Sequence, residues 1–425
     1  MPKRGPVKCI IVGAGHRSLW YGEYANMCPE EMRIVAVADP NPVRREFFAK
    51  RFHVPEDRLY STAQEVAALP KFADAVINGT MDHQHVETAL PLLRAGYDML
   101  IEKPFAVNKE ELVELYDTAR SLNRKVMICH VLRYSPFYRE IRRRIIRGDL
   151  GDITSIEAAE YVSYHHMATC YVRGKWRDSN KCHTGMLLAK SCHDMDLITW
   201  MKSGIKPARV SSFGSIYQFR RERCPEGAGD MCMTCPIEEK CDYSAKKMYI
   251  DHPDRWRFYV WDSLEHIENP TIEDKIAELM KPENPYGRCV WKLDNNVVDH
   301  QVVAIEFEDG TTGSFSLVSG SGRDERTIHI TGTKAEIYGS MESGRFTIRS
   351  IDPRKGHECA VKEIDTKASG GHGGGDIRLV EDFVRYMRGL KPSISCTSLE
   401  DSVAGHMTVF LAEESRLTGK TMEYI

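Results

Sequence analysis

The first third of the chain alternates short, continuously apolar, β-branched runs with segments whose apolar residues recur at helical spacing. Residues 7–12, 33–38, 75–78, 98–101 and 126–129 read as strands, and 42–51, 85–95 and 109–122 as amphipathic helices between them. Strands that are apolar on both faces and alternate with helices predict a doubly wound parallel sheet covered on each side. Beyond about residue 150 the pattern changes to period-two alternation at 153–161, 302–308 and 312–317, the last two flanking the hairpin signal Asp309-Gly310. A meander is expected over 326–349 with its turn at Thr331-Gly332-Thr333, a helix over 185–203, and two closing helices at 377–389 and 398–417. The expected architecture is α/β: a doubly wound domain over residues 1–130, then an α+β domain over 131–425 with a large, mostly antiparallel open sheet. A cysteine-bearing insertion interrupts the second domain at about 220–290.

A length of 425 residues suits two domains with a cleft between them. The formal charge is −3 and no basic run exceeds Arg142-Arg143-Arg144, so nucleic acid is excluded as a partner. No segment approaches the ~18 apolar residues of a membrane-spanning helix. Met1-Pro2-Lys3-Arg4 leads almost directly into the first strand with no signal-peptide core, so a cytoplasmic protein is expected. The 13 cysteines, odd in number and scattered, read as reduced thiols plus one metal site.

The first strand ends in Gly13-Ala14-Gly15-His16-Arg17-Ser18 and the second in Asp39. Gly13 permits a tight turn, Gly15 lets backbone amides approach a pyrophosphate, and Asp39 is placed to take the adenosine ribose hydroxyls, which favours NAD. Arg44 and Arg45 leave NADP open, and Ser18 replaces the third glycine of the fingerprint. His16, Arg17, Thr80, His83, Glu102 and Lys103 complete the candidate cofactor-binding set. Lys103, in Glu102-Lys103-Pro104, stands at the carboxyl end of a buried strand, where a doubly wound sheet keeps its ligand, with its backbone restricted by Pro104. In the helix over 185–203, Lys190, His193 and Asp196 are spaced to share a face. A histidine beside carboxylates suits proton transfer, and Lys103 with His193 is the candidate catalytic pair. Cys224, Cys232, Cys235 and Cys241 have the spacing of a tetrahedral structural zinc site in a segment too short for its own core, an iron–sulfur cluster being the other chemical reading.

Taken together, Gly13-x-Gly15, Asp39, Glu102-Lys103-Pro104, Arg133-Tyr134-Ser135-Pro136 and His193-x-x-Asp196 resemble the Gfo/Idh/MocA oxidoreductases over nearly the whole chain. The resemblance implies a Rossmann domain, an α/β domain whose open sheet assembles a homodimer or homotetramer, and Lys103 and His193 flanking a sugar or cyclitol hydroxyl. Inositol-dehydrogenase-like members carry an aspartate where this chain has Ala189, so cyclitol specificity does not carry over. Arg173, Trp176, Lys190, His193 and His372 are the candidate substrate-binding residues, Trp176 by stacking on a sugar face. The expected function is NAD-dependent hydride transfer at a hydroxyl or keto group of a sugar, glycoside or cyclitol. Rival readings are a redox-assisted glycosidase or lyase that recycles bound NAD, a non-catalytic sensor, and a metal hydrolase using His193, Asp196, His300 and His372.

Overall fold

The computed structural model describes residues 5–202, 204–367 and 371–424, so the Met1–Arg4 lead-in lies outside the described residues. Among them the first third forms a six-stranded parallel sheet from β1 (Val7–Val12), β2 (Met32–Ala38), β3 (Leu59–Tyr60), β4 (Ala75–Asn78), β5 (Asp98–Ile101) and β6 (Val126–Ile128). Its order is β3-β2-β1-β4-β5-β6. The helices α1 (His16–Met27), α2 (Pro42–Phe52), α3 (Ala63–Ala67), α4 (His85–Arg94) and α5 (Lys109–Ser121) connect the strands. Asn41 and Asn108 start α2 and α5 by accepting the Val43 and Glu111 amide protons on their side chains. The strand order reverses between β1 and β4, and a ligand crevice is expected outside their carboxyl ends.

After α6 (Pro136–Ile146) the chain builds a second, mixed sheet from β7 (Ile153–Ser163), β8 (Pro207–Ser215), β9 (His300–Phe307), β10 (Thr312–Ser321), β11 (Glu325–Gly332), β12 (Ala335–Ser340), β13 (Arg345–Ile351), β14 (Cys359–Asp365) and β15 (Met422–Glu423). Among the described residues its order is β14-β13-β12-β11-β7-β10-β9-β8-β15, and only β7 with β10 runs parallel. The β9–β10 hairpin closes at Asp309-Gly310, where Gly310 takes φ +78°. The next turn falls later than expected, at Thr333-Lys334, because Gly332 stays in β11, where a side chain would collide with the Leu150 carbonyl. One face of this sheet is covered by α7 (Met186–Met201), buried almost all round, and by α10 (Leu399–Thr418). The opposite face leaves Phe213, Val302 and Val318 exposed on the adjacent strands β8, β9 and β10, and Tyr338 on β12.

Two features depart from the simple two-part picture. The helix α9 (Gly375–Met387), which follows α8 (Ile272–Leu279) and every strand of the second sheet but β15, returns to the first sheet: Leu379, Val380, Phe383 and Val384 share a core with β1, β2 and α1. The insertion, in turn, does have apolar content. Phe219, Tyr243, Met248, Tyr249, Tyr286 and Trp291 are buried and join the main core of the second half. The expectation that metal must replace a core there is therefore corrected.

Candidate functional site

At the carboxyl ends of β1, β2 and β4 lies a crevice of about 490 Å³, lined among others by Gly13, Gly15, Asp39, Thr80, Glu102 and Lys103. Gly13 is required twice over: its φ is +83°, and a Cβ there would lie 2.6 Å from the Thr80 nitrogen and 2.7 Å from the Gly79 oxygen. At Gly15 the nearest atom to such a Cβ is 4.0 Å away, so this glycine borders open space at the start of α1. Ser18, in place of the third glycine, does not loosen the contact between helix and sheet. Its hydroxyl donates to the Gly13 carbonyl at 2.6 Å, and Gly79 supplies the room, since a Cβ at 79 would fall 2.2 Å from Ser18 Oγ. Asp39 is held by the amides of Ala14 (2.7 Å) and Asn41 (2.8 Å) at the far end of the crevice. A glycine cradle against a helix N-terminus, with a fixed carboxylate beyond it, fits a dinucleotide. Gly13, Gly15 and the α1 amides would hold the pyrophosphate and Asp39 the adenosine ribose.

The nicotinamide end of this crevice runs into a second cavity of about 350 Å³ through shared walls at His16, Arg17, Glu102, Lys103, Trp176 and Tyr259. Lys103 reaches across from β5, and its Nζ donates to the Ala189 carbonyl on α7 at 2.7 Å. His85 buttresses the turn behind it, with Nδ1 2.7 Å from the Pro104 oxygen and Nε2 3.1 Å from the Thr80 oxygen. Glu102 accepts from the Lys103 amide (2.8 Å), from Arg17 (2.9 Å) and from the Tyr21 hydroxyl (2.5 Å). Burial works to raise the Glu102 carboxyl, but the charges of Arg17 and Lys103 overcome it and hold it below its ordinary value.

Opposite Lys103 the cavity is closed by His193 of α7 and by His372, whose rings are 6.4 Å apart. Burial, reinforced by Lys103, His130 and His372, drives the His193 imidazole well below its ordinary pKa, so it stands neutral. Its Nδ1 is buried with no hydrogen-bond partner among the described residues. His372 differs. Its Nδ1 lies 2.9 Å from Asp376, whose other oxygen accepts from Arg17 at 2.5 Å. His372 is also held at φ 51° between glycines, a left-handed conformation uncommon for a residue with a side chain. A chain of contacts thus runs His372–Asp376–Arg17–Glu102 around the rim. Lys190 lines the same cavity and pairs with Glu160 at 2.9 Å, which also receives Arg326 and the Ser191 hydroxyl. Trp176 lines both cavities and donates to Asp82 at 2.7 Å.

Several expected site residues lie elsewhere. His83 does not line the crevice; its ring sits 5.5 Å from that of His183, while Asp82, Gln84 and His85 form the wall. Arg173 is fully buried away from the cleft, donating to the carbonyls of Arg288 (2.9 Å) and Tyr243 (2.8 Å) and to Cys232 Sγ (3.2 Å), so it braces the insertion instead of meeting a substrate. Asp196 turns from His193 to a two-point contact with Arg133 at 2.7 and 2.6 Å. His300 lies on β9 beside Asp299, so the four residues of the metal-hydrolase reading do not converge.

The cysteines of the insertion do gather. Cys232, Cys235 and Cys241 line one small pocket with Cys289, and all 13 cysteines are free. The Cys232 and Cys235 sulfurs are engaged by Arg173 and by the Gly229 amide (3.3 Å), and among the described residues no group of three or more His, Cys, Asp or Glu side chains is arranged to hold a metal. The expected zinc site is not shown; Cys232, Cys235 and Cys241 line a thiol pocket in an insertion whose aromatic residues join the core. Tyr259, Phe258 and Trp256 from that insertion, Glu160 and Asp376 were all missed in the sequence, where nothing marks them; Phe258 and Tyr259 pack their rings on His16 at 5.8 and 5.0 Å.

A doubly wound sheet with a dinucleotide cradle, opening on a lysine and histidines from a second domain, defines a nicotinamide-dependent oxidoreductase. The chain belongs to the Gfo/Idh/MocA oxidoreductase family: residues 7–130 match its NAD-binding Rossmann fold and 142–423 its C-terminal alpha/beta domain. It is 27% identical to YteT of Bacillus subtilis (strain 168) over 368 residues, 82% of this chain and 81% of YteT. It is 31% identical over 211 residues to the trans-1,2-dihydrobenzene-1,2-diol dehydrogenase of Bos taurus, matching 49% of this chain and only 59% of that enzyme. Among solved structures, levoglucosan dehydrogenase in complex with NADH and levoglucosan superposes with a TM-score of 0.70 at 16% identity, covering 98% of this chain and 99% of that one. No helix among the described residues is long and apolar enough to cross a membrane.

Proposed function

We propose that the protein oxidises a secondary hydroxyl of a sugar or related polyol with NAD, or reduces the corresponding ketone. The observation that carries this is the single cavity in which Lys103 from the nucleotide-binding half meets His193 and His372 from the rest of the chain. NAD bound in the crevice would supply the hydride acceptor. Lys103 hydrogen-bonds the substrate oxygen, and His193 and His372, on the opposite wall, orient neighbouring hydroxyls and take the hydroxyl proton. His372 is the proton acceptor in this reading, because its ring is fixed by Asp376, 2.9 Å from Nδ1, at the wall of the cavity. The likeness in fold to levoglucosan dehydrogenase supports this reading.

A second reading is favoured by one feature: the cavity holds two histidines in different settings, His372 beside Asp376 and His193 buried, enough for one to serve the oxidised hydroxyl and the other the acidified neighbouring C–H and its leaving group. Such an enzyme would cleave a glycoside and return the hydride to the cofactor it came from. The division at residue 130 belongs to the same proposal, supported by the separate cores of the two halves, to which α9, the Val131–Tyr134 segment and Leu399 of α10 are exceptions. So does a homodimer or homotetramer, supported by the open sheet face with Phe213, Val302, Val318 and Tyr338 exposed, and a cytoplasmic setting, which suits free thiols.

The test is a panel of sugars, polyols and glycosides with NAD, following nicotinamide absorbance and product release together. Net NADH formation supports the dehydrogenase, and product release without it supports the recycling reading. Lys103→Met should lower turnover by about 10²–10⁴-fold while NADH binding stays within a few-fold. Normal turnover in that variant would overturn the assignment.

A further inference from the structure

We infer that Glu265, on the insertion of the second half, sets the preference for NAD over NADP. This rests on the crevice being the cofactor site. The two cofactors differ by a phosphate on the adenosine ribose, and where Asp39 ends β2, a nearby arginine is what would accommodate that phosphate. The first turns of α2 offer two. Arg45 Nη1 donates to the Asp39 carbonyl at 2.5 Å and is committed to the strand end. Arg44 lines the crevice beside Asp39, Asn41, Ser61 and Thr62, which makes it the group with the position to receive a phosphate.

Glu265 intervenes from 221 residues further along the chain. Its Oε2 accepts from Arg44 Nε at 3.0 Å and its Oε1 from the Asn41 side chain at 2.5 Å. Asn41 is itself fixed as the cap of α2, with its side-chain oxygen accepting the Val43 amide at 2.9 Å, so the carboxylate is anchored at two points. Arg44 is thereby paired, and a second carboxylate stands against Asn41 and Arg44, which line the ribose end of the crevice. A 2′-phosphate would have to displace Glu265 from Arg44 and then lie near both carboxylates. NAD meets neither obstacle. The insertion is held over the crevice at its other end as well, where the Tyr259 hydroxyl lies 3.2 Å from His16 Nε2.

The test measures NADH and NADPH dissociation constants by nicotinamide fluorescence for the parent, Glu265→Gln, and Glu265→Gln combined with Arg44→Ala. The glutamine keeps the shape of the side chain and removes only its charge. The NADPH-to-NADH ratio should shift toward NADPH by roughly tenfold in the first variant, and Arg44→Ala should abolish that gain. A ratio unchanged by Glu265→Gln, in a parent that binds NADH, would overturn the role of Glu265 alone. A parent that binds neither nucleotide would overturn the cofactor crevice, and this inference with it.

Discussion

Gly13 and Gly15 stand two residues apart, yet alanine at each should fail in a different way. At Gly13 the backbone lies at φ +83°, which costs an alanine about 1–2 kcal/mol. The added methyl would also press to 2.6–2.7 Å of the Thr80 nitrogen and the Gly79 oxygen, backbone atoms that cannot rotate away. Overpacking of that kind costs a further ~1–3 kcal/mol, so Gly13→Ala should lose about 2–5 kcal/mol of stability and distort the cradle as well. Gly15 lies at φ −87° with 4.0 Å to the nearest atom, so an alanine there is accommodated and stability should be near that of the parent. Its methyl, however, borders the space assigned to the pyrophosphate, and NADH affinity should fall by roughly tenfold or more, about 1.4 kcal/mol. Urea unfolding and NADH titration on both variants separate the two effects. Gly15→Ala binding NADH as tightly as the parent would refute the cradle, and Gly13→Ala unfolding at the parent's urea concentration would refute the steric reasoning.

The Asp376 carboxyl is raised by burial but lowered more by the His372 hydrogen bond and the Arg17 charge, leaving it below its ordinary value. Its contribution to stability is thus complete above the unfolded value, about pH 4, and is lost as pH falls below it; Asp376→Asn should flatten that part of the thermal-stability curve, and parallel curves for parent and variant would count against the linkage. Arg173→Met should leave the Arg288 and Tyr243 carbonyls without their buried donor, at about 1–3 kcal/mol each, and open residues 220–250 to protease while NADH binding persists; unchanged proteolysis would return Arg173 to a role outside the fold. Val302→Glu on the exposed sheet face should convert an oligomer to monomer in light scattering, and a parent that is already monomeric would dispose of that interface.

Local pattern was enough for most of the fold. The five strands and three helices expected in the first sheet fall to within a residue of their expected ends, because strands apolar on both faces and capped amphipathic helices declare themselves over a few residues, while β3, α1 and α3 had no expected bounds. The glycine turn, Asp39 and Lys103 were legible for the same reason: a doubly wound sheet fixes where strand ends go, and the chemistry sits at those ends. What failed was reasoning from spacing within a single element. Lys190, His193 and Asp196 share a helix, but α7 is buried almost all round, so Lys190 answers to Glu160 on β7 and Asp196 to Arg133 near α6. Cysteine spacing likewise counted ligands without seeing the buried aromatic residues around them. Residues such as Asp376, Glu160 and Glu265 carry no local mark. Their roles are set by partners 30 or more residues away in every case but the His372 contact, and only tertiary packing chose those partners, because burying a charge requires a counter-charge wherever the fold happens to bring one.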